Sequence, residues 1–168
     1  MLNGIPEKKY LLILNRMPDY TLHRGLFSTE FCDRVAETFK DNSIYAPRGD
    51  WNAYNVTKGP LYTEILENFS PVIPYKFTEK WINITEYNKG DSLRNHRDTD
   101  SSLTLVSEIS SADSGGRFII NKDTYIELNK GDVITFNGSN ILHGVETVYR
   151  GSRLSLNMWT YPNTSKII

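Results

Sequence analysis

The feature that most constrains this chain is a recurring spacing. His96 and Asp98 are one residue apart, Arg153 and Ser155 are one residue apart, and His143 stands between the two pairs. Polar side chains at i and i+2 share a face only on an extended strand, where successive side chains alternate. A fold that uses both pairs together therefore has to bring strands from distant parts of the chain to one place. On such a strand the Cβ atoms of His96 and Asp98 lie roughly 6 to 7 Å apart, while Arg97 points away. Two ligands from one strand can grip one ion, and a third must come from elsewhere. His143 follows Asp132-Val133-Ile134-Thr135-Phe136, whose β-branched and aromatic content predicts a strand. Two imidazoles and one carboxylate form the facial triad that holds non-haem Fe(II) and leaves coordination positions open for chemistry.

The chain has three histidines, and His23 has no partner pattern, so it reads as structural. Asp100 competes with Asp98 for the carboxylate position. It would sit about 13 Å from His96 on a strand that stays extended, too far to share a metal without a turn. Asp98 is the expected ligand.

Arg153 and Ser155 supply the second half of the constellation. Arginine forms planar, charge-assisted pairs with carboxylates, and a neighbouring hydroxyl adds one hydrogen bond, so the pair suits a dicarboxylate. In Arg153-Leu154-Ser155-Leu156-Asn157-Met158-Trp159 the alternation is strict, with Leu154, Leu156 and Met158 on the apolar side. The other side faces a pocket or solvent.

These residues stand in a pattern that resembles the 2-oxoglutarate and Fe(II)-dependent dioxygenases, most nearly their prolyl 4-hydroxylase branch. Tyr87-Asn88-Lys89-Gly90 leading to His96-Arg97-Asp98 is similar to the family's Tyr-x-x-Gly-x5-His-x-Asp. Ser114-Gly115-Gly116-Arg117-Phe118 falls where the family has a Gly-Gly turn. Leu142-His143-Gly144-Val145, followed by Gly151-Ser152-Arg153-Leu154-Ser155, resembles its Leu-His-x-Val and Gly-x-Arg-x-Ser, and Trp159 falls on a family tryptophan. The likeness covers roughly residues 81–159.

The resemblance implies Fe(II) held by His96, Asp98 and His143, and 2-oxoglutarate chelated to it with its distal carboxylate on Arg153. Ser155 and Tyr87 would join Arg153 in binding that cosubstrate. Oxygen would be consumed, succinate and carbon dioxide released, and a substrate C–H bond hydroxylated, with ascorbate as a supporting reductant. Because Asp98 is present, the resemblance favours hydroxylation over halogenation. Two departures stand out. Glu108 falls where relatives often have a tyrosine that helps hold 2-oxoglutarate, and a carboxylate there repels the cosubstrate unless it is protonated, paired or turned away. The region around His143 also lacks the extra basic residue of some relatives, so Arg153 would carry the distal carboxylate alone.

At 168 residues the chain suits a single domain over residues 1–168, with helical support at 28–70 and a β-helix core at about 76–161. A net charge of −1 without charge blocks gives no electrostatic signal for nucleic acid. The single cysteine, Cys32, excludes an intrachain disulfide framework and reads as a buried thiol. The apolar run Leu11-Leu12-Ile13-Leu14 is too short for a signal-peptide core or a membrane span, so the expected location is cytoplasmic, with no membrane partner.

The expected fold class is mainly β with flanking N-terminal helices. Ser28 predicts a helix cap over about 29–40, where Phe31, Cys32, Val35, Ala36 and Phe39 form one stripe. Pro60 predicts the start of a second helix, with Leu61, Ile65, Leu66 and Phe69 on one side. From about Lys76 the pattern turns to short strands separated by Gly, Asn and Asp turns. The polar faces of Asn83, Thr85 and Tyr87 and of Arg153, Ser155 and Asn157 are expected to line the pocket of a double-stranded β-helix, a jelly-roll architecture. Their apolar backs would lie under the helices.

Residues 43–59 place Tyr45, Arg48, Trp51 and Tyr54 among Gly, Pro and Asn, which suits an aromatic loop beside a pocket. Tyr45, Arg48, Trp51 and Trp159 are thus the expected substrate contacts. A prolyl residue in a peptide or protein is the first expectation, with a lysyl residue or a free amino acid as alternatives. A nucleic-acid demethylase calls for a basic surface that this chain does not announce. A cupin-like metal-binding module without catalysis would have little use for Arg153 with Ser155.

Overall fold

The structure is a computed structural model that describes residues 19–42, 44–45, 52–74 and 77–162. It opens with a short strand β1 (Tyr20–His23) and helix α1 (Thr29–Asn42). The short strands β2 (Ile44–Tyr45) and β3 (Asn52–Asn55) lead to helix α2 (Pro60–Phe69) and a single 3-10 turn at Ser70–Val72. The remainder is strand: β4 (Phe77–Tyr87), β5 (Leu93–His96), β6 (Leu103–Ser110), β7 (Ser114–Gly115) and β8 (Phe118–Ile120) come first. They are followed by β9 (Thr124–Ile126), β10 (Val133–Phe136), β11 (His143–Val145), β12 (Val148–Arg150) and β13 (Arg153–Pro162).

The helices begin where their sequence signals lie. Ser28 Oγ accepts the Phe31 N–H at 3.1 Å, which satisfies one of the donors left open by the first turn of α1. Phe31, Cys32, Val35 and Phe39 of α1 and Ile65 and Phe69 of α2 are buried. They pack on Ile82 and Ile84 of β4, Leu103, Leu105 and Ile109 of β6, and Leu154, Leu156 and Met158 of β13. The apolar backs of the long strands thus do lie under the helices, and Cys32 is a buried thiol within that layer.

Three antiparallel sheets are formed among the described residues. The large one runs β1-β10-β6-β13-β4-β3-β2, a four-stranded one runs β5-β11-β8-β9, and β12 pairs with β7. This is the double-stranded β-helix, two sheets facing each other across an elongated interior. Gly115 and Gly116, both at positive φ, make the turn at β7, and a Cβ on Gly115 would overlap the Thr147 carbonyl oxygen of the chain that pairs with it.

The interior differs from the uniformly polar lining expected from the strand faces. Along β4, β13 and β6 it is largely polar. Phe118, Ile120 and Val145 of the four-stranded sheet and Ile134 and Phe136 of β10, beside β6, form an apolar wall with Tyr87 and Val106. Alternation on β4 and β13 could not reveal that wall, because its residues on β8, β10 and β11 lie on strands of only three or four residues, where a period of two is hard to read.

Residues 43–59 also differ from the expected loop. Two stretches of it extend the large sheet, Tyr45 standing opposite Asn52 and Tyr54 opposite Ile84. Tyr54 packs against the helix-side core and not toward the interior. Arg48 and Trp51 lie outside the described residues, as does the side chain of Tyr45. No helix among the described residues is long and apolar enough to cross a membrane.

Candidate metal centre and cosubstrate pocket

His96 ends β5 and His143 begins β11, and the two stand directly opposite each other across that strand pair. Their rings are 4.4 Å apart, and His143 is further held edge-on against Phe136 at 4.6 Å. Asp98 does not share the strand of His96, as its spacing suggested. β5 stops at His96, and Asp98 lies in the following loop, tethered by its own N–H to Gly138 O at 2.9 Å. The tether turns its carboxylate back so that Oδ1 lies 3.4 Å from His96 Nε2 and 3.5 Å from His143 Nε2. One ligand atom from each residue falls within 4.8 Å of the others. Asp100 is exposed and takes no part in this cluster.

The ligand atoms are oriented by their surroundings. His96 Nδ1 is 3.0 Å from Arg94 O and His143 Nδ1 is 3.0 Å from Ile141 O, so each Nδ1–H donates to a carbonyl and each Nε2 is turned toward Asp98. Thr104 Oγ1 donates to Asp98 Oδ2 at 2.7 Å. Because that proton is committed, Ser101 Oγ, 2.8 Å from Thr104 Oγ1, is the donor to it. Asp98 is thereby left with Oδ1 as its one oxygen facing the imidazoles. Burial raises the Asp98 carboxyl, but hydrogen bonds from His143, His96 and Thr104 outweigh it and hold the group well below the usual carboxylate range. His96 is pushed up, chiefly by its bond to Asp98. Two imidazole Nε2 atoms converging with an ionised carboxylate are the donor set of a divalent cation, which would take the place of the Nε2 protons, and this cluster fits one.

Gly138 and Thr104 were not singled out in the sequence. A Cβ on Gly138 would overlap both Thr104 Oγ1 and Asp98 Oδ2, so only glycine lets the turn approach the carboxylate. Asn137-Gly138 signals a turn but not what the turn would touch.

The polar face of the large sheet runs away from this cluster. Thr104 stands opposite Trp159, Val106 opposite Asn157, and Glu108 opposite Ser155. On the other flank of β13, Trp159 pairs with Trp81, Asn157 with Asn83, Ser155 with Thr85, and Arg153 with Tyr87. Asn157 Nδ2 donates to Asn83 Oδ1 at 3.0 Å and lies 3.2 Å from Thr85 Oγ1 and from Ser155 Oγ. The arginine end is closed, with Arg153 1% exposed, and the tryptophan end is open, with Trp81 53% exposed. Trp81 meets Trp159 edge-on at 6.3 Å and donates from Nε1 to Asn55 Oδ1 at 2.9 Å. Trp81 and Asn55 had carried no functional expectation.

Arg153 is already engaged. Its Nε donates to Glu108 Oε2 at 2.9 Å, and Nη2 lies 2.8 Å from the same oxygen. That second approach is off line for a hydrogen bond, so the buried Nη2 protons have no acceptor among the described residues. The register between β13 and β6 shifts between Leu154 and Ser155, which aims Arg153 at Glu108. Tyr87 lies beneath the guanidinium, 5.6 Å from its ring centre, and burial pushes its phenol up to about 12, so it stays a protonated donor. A buried arginine with orphaned N–H groups at the closed end of a pocket, Ser155 and Tyr87 beside it, fits a carboxylate.

Fold and cluster together define a jelly-roll protein with a two-histidine, one-carboxylate cage. Residues 82–161 match the model of the 2OG-Fe(II) oxygenase superfamily, so this stretch, which holds the whole cage, is similar to that family. No curated protein matches in sequence. Among solved structures, the viral collagen prolyl hydroxylase vCPH of Paramecium Bursaria Chlorella virus-1, in complex with 2OG, is similar with a TM-score of 0.68 and 19% identity over 88% of this chain and 98% of that one. A prolyl-4-hydroxylase of Pseudomonas putida aligns with a TM-score of 0.75 and 12% identity, over 92% of this chain and 98% of that one. HygX of Streptomyces hygroscopicus, with nickel and 2-oxoglutarate bound, gives 0.73 and 11% over 96% and 89%. At these identities the likeness is one of fold.

Proposed function

We propose that this chain is an Fe(II)- and 2-oxoglutarate-dependent dioxygenase that hydroxylates an unactivated C–H bond, with a prolyl residue in a peptide or protein as its substrate. The single observation that carries the reading is the pairing of two ends on one polar strand face. A cation cage of His96, Asp98 and His143 adjoins Thr104 at one end, and an arginine with unsatisfied buried N–H groups closes the other. Thr104 and Glu108, which mark the two ends on β6, are four residues or about 13 Å apart, a span suited to a short dicarboxylate.

In this reading His96 Nε2, His143 Nε2 and Asp98 Oδ1 hold Fe(II), and Thr104 keeps Asp98 Oδ2 out of the coordination sphere. Arg153 binds the distal carboxylate of 2-oxoglutarate, with hydrogen bonds from Ser155 and Tyr87. The bound iron and cosubstrate supply oxygen activation, coupled to decarboxylation of 2-oxoglutarate to succinate and carbon dioxide. The wall of Phe118, Ile120, Ile134, Phe136 and Val145 excludes water from the pocket. At the open end Trp159 and Trp81 offer flat apolar faces that suit a pyrrolidine ring. Two of the similar structures are named as prolyl hydroxylases, which supports the first choice. HygX has been captured with hygromycin B, so the fold by itself does not choose the substrate.

The test is succinate formation by purified protein with Fe(II), 2-oxoglutarate and ascorbate, in air and without oxygen. Proline-rich and lysine-containing peptides, free amino acids and methylated oligonucleotides are then incubated in parallel and weighed by mass spectrometry. Oxygen-dependent succinate and a gain of one oxygen on proline are expected. Demethylated bases with untouched peptides would overturn the substrate class, and iron-loaded protein that binds no 2-oxoglutarate would overturn the oxygenase itself.

A further inference from the structure

Glu108 stands where a cosubstrate carboxylate has to arrive. It is 3% exposed, its partner Arg153 is 1% exposed, and the two form a closed ion pair that is neutral as a unit. The backbone cannot carry Glu108 aside: its N–H donates to Asp132 O at 3.0 Å, and its carbonyl accepts from Gly131 at 2.8 Å. Other charged or titratable groups nearby do not relieve it. Asp132, before β10, turns its carboxylate to Arg24 and to the Gly25 and Asn129 N–H groups, and Tyr87 on β4 is a neutral phenol beneath the arginine.

If 2-oxoglutarate docks as proposed above, its distal carboxylate takes the orphaned protons of Nη2, the nitrogen that Glu108 Oε2 also faces. Two acceptors on one nitrogen are at most about 5.6 Å apart, twice a normal hydrogen-bond length. Two anions would then share one cation in a buried space, and two carboxylates so placed do not both stay ionised. We propose that cosubstrate binding in this protein is proton-coupled: 2-oxoglutarate is accepted at Arg153 as Glu108 takes one proton from solvent and changes from ion partner to neutral hydrogen-bond donor. The inference rests on the dioxygenase reading and makes Glu108 a specificity-determining residue for its cosubstrate.

The sign of the effect follows. Burial already raises the Glu108 carboxyl, against the pull of Arg153, and a second anion raises it further. The affinity for 2-oxoglutarate is therefore full at low pH, where Glu108 is protonated before binding. It falls as pH rises above the value at which free Glu108 ionises. Within that window each pH unit weakens binding about tenfold, the slope of one proton per ligand.

Calorimetry of 2-oxoglutarate with Mn(II)-loaded, oxygen-free protein tests this without turnover. Titrations between about pH 6 and pH 9, each in two buffers of different ionisation heat, count the protons. The wild-type protein is expected to take up close to one proton per 2-oxoglutarate. Glu108→Gln, which mimics the protonated acid, is expected to take up none and to bind with an affinity that no longer falls as pH rises. Binding by the wild type without proton uptake, or an unchanged pH slope in Glu108→Gln, would overturn the inference and leave the oxygenase reading standing. No binding by either protein at any pH would overturn both.

Discussion

The Asp98 carboxylate commits one oxygen to a single hydroxyl, and that makes the cage testable atom by atom. The Thr104 hydroxyl holds Oδ2 and leaves Oδ1 for the ion. Thr104→Val keeps the shape and removes the bond, and metal affinity should fall about 10- to 100-fold, the usual cost of losing a partner that orients a ligand. His96→Ala, Asp98→Ala and His143→Ala should abolish tight binding, while Asp100→Ala should leave it unchanged. Titration with Mn(II) followed by electron paramagnetic resonance reads all five; loss of binding in Asp100→Ala alone would reassign the carboxylate. The ligands were legible from the His-x-Asp spacing and the later histidine, although Asp98 reaches the cluster from a loop and not by strand alternation. The restraint on Asp98 was not, since it depends on the Gly138 turn meeting a strand thirty-four residues earlier, at Thr104.

Among the elements, the helices were the most legible and the short strands the least. Ser28 and Pro60 mark the observed starts of α1 and α2, because each signal is local to the first turn. Ser28→Ala removes the one side-chain acceptor for the Phe31 N–H and should cost about 1 kcal/mol of stability, measured by urea unfolding. An unchanged midpoint would show that the cap is idle. In contrast, β1 is four half-buried residues without alternation, and it exists because the edge of β10 accepts it. β2 and β3 likewise form against the edge of β4, so no pattern within residues 43–59 could announce them. Pairing of this kind is a tertiary fact.

At the scale of the whole molecule, the elongated interior was legible from two long strands, and its ends were not. The β4–β13 pair carries the polar face from Arg153 to Trp159, about 20 Å along the strand. Glu108 could be flagged as a departure in the sequence, but its ion pair with Arg153 depends on the register between β6 and β13. The open end carries a different kind of consequence. Two of the three tryptophans in the chain, Trp81 and Trp159, meet there, with Trp81 half in solvent. Intrinsic fluorescence is therefore weighted toward the pocket mouth, and a substrate that covers the pair should shift the emission to shorter wavelength before any chemistry occurs. Candidate peptides and small molecules can be ranked by that optical signal in oxygen-free, Mn(II)-loaded protein, with Trp81→Phe as the variant in which most of the shift disappears.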